Sequence, residues 1–318
     1  MTAWLLTDGA MDAHVAPGHP ERPDRREAAA AGVREAAGAE LLEPAVQAID
    51  DATLAVVHDP AYVALLDSVE ARGGGWLDPD TYIVPGSLRA ARLAAGATLQ
   101  AAIAVAGGEA AVAFAAVRPP GHHASFGRGS GFCLLNNVAI AAAGLRARGL
   151  ARRIAIVDWD VHHGDGTQAI FAADADLCYA STHQSPFYPG TGGRAEAGVG
   201  QAAGTKHNRP LPAGAGDAPF VEAWQDDLLP AVEAFAPEAI VVSAGYDAHA
   251  ADPLAHLEVT DAGYGEVARL LGAMSARLGL AGVALALEGG YDLDALRAST
   301  SATVRGILDG RRAATAAG

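Results

Sequence analysis

The 318 residues carry 37 Asp and Glu against 22 Lys and Arg, a formal charge of −15. That field disfavours phosphate backbones, so direct nucleic-acid binding is not expected, and it favours cationic ligands. Two cysteines are too few for a disulfide framework or a thiolate zinc site, and polar or glycine-rich breaks interrupt every alanine run before it reaches bilayer length.

The start, MTAWLLTDGAMDAHVAPGHPERPDR, places no basic region before an apolar stretch, and a cytoplasmic location is expected. Strands are expected at 4–7, 111–117, 154–157, 177–180, 239–243 and 283–287. Helices are expected at about 24–37, 60–70, 87–106, 134–148, 218–235, 261–279 and 293–308, with Asp217 and Thr260 or Asp261 as N-caps. No composition break or linker divides the chain, which points to one domain over 1–318. Cys133 and Cys178 read as small buried residues, and the many alanines and glycines as compositional. The rhythm is that of an α/β fold with a mainly parallel central sheet flanked by helices.

The segments at the strand ends are more informative. The stretches RPPGHHASFGRGSGFC, DWDVHHGDG, STHQSPFYPGTGG, AGYDAHAADPL and EGGYDL each come directly after an apolar run. In a parallel sheet all strand C-termini lie on one edge, where ligands bind. Five polar clusters should therefore converge on one rim.

In IVDWDVHHGDG (156–166) an apolar strand runs into three carboxylates and two histidines. Alternate side chains of an extended segment share a face, so Asp158, Asp160 and His162 should project together. Carboxylates so placed repel unless a cation lies between them, and this donor set suits zinc. Asp247, at the same edge, can supply a third protein ligand, the number expected of a catalytic rather than a structural site.

His122 and His123 follow Pro119-Pro120-Gly121, and either imidazole can move a proton near neutral pH. Asp158 and Asp165 offer each a carboxylate to set its tautomer. Tyr291, after Glu288-Gly289-Gly290, can donate a hydrogen bond to a developing oxyanion.

Taken in order, RPPGHH, DWDVHHGDGT, STHQSPFYPGTG, SAGYDAH with DPL, and LEGGY resemble the motif set of the zinc-dependent histone deacetylase superfamily, whose members include acetylpolyamine amidohydrolases and acetoin-utilisation proteins. GHPERPDR is similar to its N-terminal signature, so the resemblance spans about residues 14–292. It implies a single-domain arginase/deacetylase-like fold with the active site at the strand C-terminal edge. It implies zinc on Asp160, His162 and Asp247. It makes His123, paired with Asp165, the main general base and acid, and has His122, paired with Asp158, tune the electrostatics. Tyr291 then polarises the scissile carbonyl, and Gly131, Phe132 and Tyr188 line an acyl-lysine tunnel. A structural potassium is implied at Asp158, Asp160, His162 and Ser181.

The implied substrate is an acylated lysine, in a peptide or free, or an acylated polyamine. LEGGY and HPERPDR look more like the class II branch than class I. Leu254 stands where a polyamine-selective branch carries a glutamate, which favours acyl-lysine, whereas Asp78 and Asp80, in the insertion GGGWLDPDTYIVPGS, could supply an acidic rim from elsewhere. His249 lies where arginase-like enzymes carry a further metal-binding aspartate, and His207 and Asn208 have no assigned role. A non-catalytic acyl-lysine binding module and a two-metal, arginase-type hydrolase are the alternatives. A homo-oligomer is left open.

Overall fold

The computed structural model describes residues 1–317. Its strands are β1 (Ala3–Leu6), β2 (Leu41–Leu42), β3 (Gly75–Trp76), β4 (Tyr82–Ile83), β5 (Val112–Ala115), β6 (Ile154–Asp158), β7 (Leu177–Gln184), β8 (Lys206–Leu211), β9 (Ala239–Ala244) and β10 (Val283–Leu287). Eight of them form one sheet in the order β2-β1-β5-β10-β9-β6-β7-β8. Every pairing in it is parallel. Helices cover both faces, which is why β5, β6, β9 and β10 are buried along their whole length and read as continuous apolar runs.

The helices are α1 (Asp24–Ala37), α2 (Asp51–Leu54), α3 (Pro60–Ala71), α4 (Ser87–Ala106), α5 (Asn137–Ala147), α6 (Asp165–Ile170), α7 (Asp217–Glu222), α8 (Leu229–Phe235), α9 (Asp261–Arg277) and α10 (Leu293–Ala317). α10 packs between α1 and α9 in one layer, while α4 and α5 pack together over β5, β10 and β9 in the other. Part of the glycine content has a packing reason. A Cβ on Gly306 would sit 2.3 Å from the Gly265 carbonyl oxygen, and one on Gly310 2.0 Å from that of Arg269, so these positions let α10 lie directly on α9. Among the described residues no helix is long and apolar enough to cross a membrane.

The sheet has two strands that the sequence pattern does not announce, and both are edges. β2 is two residues long. β8, Lys-His-Asn-Arg-Pro-Leu, is mostly polar and contains Pro210, whose missing N–H only an edge strand tolerates. His207 and Asn208 thus belong to an edge strand, with the Asn208 amide donating to Gln168 Oε1 (2.7 Å) and the Glu196 carbonyl (3.1 Å).

The helix expected at 218–235 is three segments, because a π-helical turn at Ala223–Leu228 separates α7 from α8. Pro230, just beyond that turn, has no N–H for a regular ladder and would crowd the preceding turn. Thr260 does cap α9, accepting from Ala262 N. Asp217 does not cap α7, which starts after Gly216. Its carboxylate instead takes the Thr260 N–H (2.7 Å) and hydroxyl (2.8 Å), supporting the cap of a different helix.

Candidate metal centre and catalytic pocket

The five polar clusters follow β5, β6, β7, β9 and β10, which are contiguous in the sheet. Register brings them level: Asp158 pairs with Ser243 on one side and Ser181 on the other, and Leu287 with Ala244. Asp160, His162 and Asp247 consequently meet, with one ligand atom of each within 4.8 Å of the others, and no second such cluster occurs among the described residues. His162 Nδ1 lies 3.1 Å from Asp160 Oδ1 and 3.2 Å from Asp247 Oδ2.

Two observations fit this group to a divalent cation. Burial pulls the His162 imidazole down, but the two carboxylates push it up to about 10, so the cluster attracts positive charge strongly. Asp247 Oδ2 is buried without a hydrogen bond of sound geometry, and its carboxyl is pushed up by burial and by Asp160. Carboxylate-imidazole-carboxylate is a donor set for zinc.

The backbone is built around these carboxylates. Gly289 N donates to Asp160 Oδ2 at 2.8 Å, and a Cβ on Gly289 would lie 1.9 Å from Asp247 Oδ2. Gly290 adopts φ +116°, which turns the chain into Tyr291.

The tandem histidines sit beside the cluster in opposite electrostatic settings. His122 Nδ1 is 3.1 Å from Asp158 Oδ2, and its Nε2 is 3.8 Å from Asp160 Oδ1. Burial disfavours its cation, yet Asp160 and Asp158 raise it well above the ordinary histidine value. His123 Nδ1 is 2.7 Å from Asp165 Oδ1, but burial and the charge of His122 lower it to about 4. The carboxylates thus favour the His122 cation, while burial and His122 favour the neutral form of His123.

Above them opens a cavity of about 240 Å³, lined by His122, His123, Asp160, His162 and Tyr291 at the floor and by Gly131, Phe132, Tyr188, Leu254 and Asp80 toward the mouth. Phe132 stands edge-on to Tyr291, with ring centroids 5.9 Å apart. It does so at φ +70°, a region costly for a side chain of this size, with its N–H held by Thr81 Oγ1 at 3.0 Å. The insertion is the antiparallel β3–β4 hairpin. Of its two acids only Asp80 lines the cavity; Asp78 accepts the Asp80 and Thr81 N–H groups within the turn. His249 does not line the cavity and accepts the Ala251 N–H through Nδ1. Ser181 lies under the site, its hydroxyl 3.0 Å from His183 Nδ1. Cys133 and Cys178 are free and buried.

Several residues of the site carry no signal of their own in the sequence. Arg25, fully buried, donates to the carbonyls of Gly290 (2.5 Å) and Glu288, and its guanidinium lies 4.7 Å from the Tyr291 ring centroid. Glu21 ties Arg25 to Arg118 and, despite burial, is held below the usual carboxylate range by Arg118 and Arg25. From the other side Asp252 accepts the Tyr291 N–H at 2.6 Å. The Tyr291 loop is thus gripped through the Glu288 and Gly290 carbonyls by a guanidinium and through the Tyr291 N–H by a carboxyl group that burial and Asp247 push up to about 7. Glu288 accepts from Gly121 N (2.6 Å) and His122 N (3.1 Å), fixing the tandem histidines to the end of β10. HPERPDR, DPL and LEGGY held Glu21, Arg25, Asp252 and Glu288 as members of motifs, without assigning them a task.

The chain is similar to known proteins over nearly its whole length. Residues 19–307 match the family model described as "Histone deacetylase domain". A "Probable deacetylase" of Archaeoglobus fulgidus is 42% identical over 283 residues, 87% of this chain and 78% of that protein. A "Histone deacetylase-like amidohydrolase" of Pseudomonas aeruginosa is 37% identical over 290 residues, 90% of this chain and 76% of that one. The crystal structure of the HDA15 HD domain superposes with a TM-score of 0.89 at 38% identity, covering 96% of this chain and 89% of that one. A match across nearly the whole chain, at this identity and with this fold, establishes that the chain belongs to the histone deacetylase family.

Proposed function

We propose that the protein is a zinc-dependent amidohydrolase that removes acetyl or another short acyl group from an acylated lysine side chain. The observation that carries this reading is the meeting of Asp160, His162 and Asp247 beside His123 and the Tyr291 phenol, at the floor of a cavity. Asp160, His162 and Asp247 would hold the zinc ion. When bound, that ion supplies Lewis acidity toward the amide carbonyl and lowers the pKa of a water. A structural potassium at Asp158, Asp160, His162 and Ser181 belongs to the same proposal, supported by the direct pairing of Asp158 with Ser181.

The chain's own groups divide the remaining work. Asp165 holds Nδ1 of His123, leaving Nε2 to take a proton from the attacking water and pass one to the departing amine. His122, kept cationic by Asp160 and Asp158, stabilises negative charge nearby. The Tyr291 hydroxyl donates to the carbonyl oxygen as it gains charge, from a loop that Arg25 and Asp252 keep in place. Phe132 and Tyr188 flank the alkyl chain, and Leu254 covers it with an apolar surface. The products are a short carboxylic acid and a free amine.

A second substrate, an acetylated polyamine, is favoured by one feature: the Asp80 carboxylate at the mouth offers a distal ammonium a partner that Leu254 does not. A side-by-side assay on acetyl-lysine peptides, free acetyl-lysine and acetylated polyamines, with metal counted on the same sample, tests both. The expected result is one zinc per chain, with hydrolysis abolished by chelation, restored by zinc and blocked by a hydroxamate. Two manganese ions per chain with urea release from a guanidinium substrate would instead establish arginase-type chemistry. Hydrolysis indifferent to chelators and hydroxamates would overturn the zinc reading.

A further inference from the structure

Of the 22 lysine and arginine residues, Lys206 is the only lysine, and it is 2% exposed at the start of edge strand β8. Its Nζ donates to the carbonyl oxygens of Leu177 (2.7 Å) and Asp174 (3.1 Å) and to the Thr205 hydroxyl (2.7 Å). Three N–H groups meet three oxygens, which satisfies an ammonium completely. None of these acceptors is a carboxylate; that of Asp174 is engaged by Arg146 instead. A buried positive charge held by uncharged backbone and hydroxyl oxygens is the arrangement by which carbonyl-lined sites hold a monovalent metal ion.

The residue type is a consequence of that geometry. Arginine presents five donors in a planar fork and cannot place its charge at one point among converging oxygens, whereas an ammonium can. In a chain whose other permanently charged bases are all arginines, the single lysine stands where a point charge is required. Burial lowers its pKa to about 8, so the ammonium still predominates at pH 7. A neutral amine would lose one donor and face a lone pair toward an oxygen.

We propose that Lys206 is a tethered cation: its ammonium fills a cradle of two carbonyl oxygens, at the start of β7 and in the turn before it, and the Thr205 hydroxyl, a cradle that would otherwise take a monovalent metal ion, and so fastens β8 to β7 without one. Asn208, on the same side of β8 two residues on, is thereby positioned for its bonds to Gln168 and Glu196. Gln168 Oε1 in turn lies 3.2 Å from Nε2 of His163, beside His162.

Thermal unfolding of Lys206→Ala, Lys206→Met and wild type, each in potassium chloride and in N-methylglucamine chloride at equal ionic strength, tests the proposal. Reading each variant against wild type in the same salt cancels any other cation-dependent site. In N-methylglucamine Lys206→Ala should melt roughly 5 °C or more below wild type, with three buried acceptors left unpaired. Potassium, entering the vacated cradle, should restore about half of that gap or more. Lys206→Met, whose side chain fills the space without charge, should show the gap and no recovery. An equal gap for Lys206→Ala in both salts, or none in either, overturns the proposal. Should Lys206→Ala not fold, the wild type decides: with one lysine, reductive methylation of the native protein read by intact mass should modify the α-amino group and spare Lys206. Methylation of Lys206 at the rate of a free amine would overturn it.

Discussion

The floor and the mouth of the cavity are built in different ways. At the floor, Asp158, Asp160, Asp247, His122 and His123 are almost wholly buried, and each is fixed by hydrogen bonds or ion pairs to residues on other strands or loops. At the mouth, Tyr188 is 42% exposed, and the half-buried Asp80 sits in the turn of the short two-stranded β3–β4 ribbon. Over-determined groups can hold a charge distribution ready for a transition state. Lightly held ones can exchange partners at little cost. The difference teaches that bond cleavage is the rigid property of this molecule and substrate choice the adjustable one.

Substitutions at the floor should therefore have the largest effects. His123→Ala and Tyr291→Phe are expected to lower kcat by about 10²–10⁴-fold, with a melting temperature close to wild type. Steady-state kinetics beside thermal unfolding checks this, and near-wild-type rates in either variant would remove these residues from the reaction.

Acid should act next, through histidines that support the structure without lining the cavity. His14, His58 and His183 are each lowered to about 4 by burial. In His58 both ring nitrogens are engaged, Nδ1 with the Ser125 carbonyl and Nε2 accepting the Asn136 N–H, a pattern only the neutral ring allows. Because the folded pKa lies below the unfolded value near 6.5, this stability is complete above pH 6.5 and is lost as pH falls toward 4. The slope should approach about 1.4 kcal/mol per pH unit for each such histidine. Asp252 and Glu288, pushed up to about 7 by burial, act in the opposite sense over the same range. Denaturant unfolding of His58→Gln beside wild type between pH 7 and 5 therefore isolates one ring; an identical pH dependence of the two would show that His58 takes up its proton in the native state.

The smallest effect should come from the mouth. Asp80→Asn is expected to raise KM for an acetylated polyamine a few-fold, in keeping with about 0.2–1 kcal/mol for a partly exposed ion pair, and to leave kcat unchanged. A loss in kcat comparable to that of His123→Ala would erase the distinction between floor and mouth.

Much of the site was legible because it is local. Asp158, Asp160 and His162 are spaced along one extended segment, and each polar cluster follows its own apolar run, so the position of these groups at strand ends can be read in a window of about ten residues. The central strands were legible for the same reason. The edge strands were not, since β2 is short and β8 is polar. The break in the helix at 223–228 depends on a proline and a buried tryptophan whose Nε1 donates to Thr182, on a neighbouring strand.

The sequence by itself therefore determined which groups stand at the C-terminal edge of the sheet, because strand period and strand ends are properties of consecutive residues. Tertiary structure decided what holds them and what surrounds them. Arg25 reaches Gly290 across 265 positions, Glu288 reaches Gly121 across 167, and Lys206 finds two carbonyl oxygens at the start of β7 and in the turn before it. Buried charges must be paired with whatever polar groups the packing delivers to them, and no local pattern specifies which groups those are.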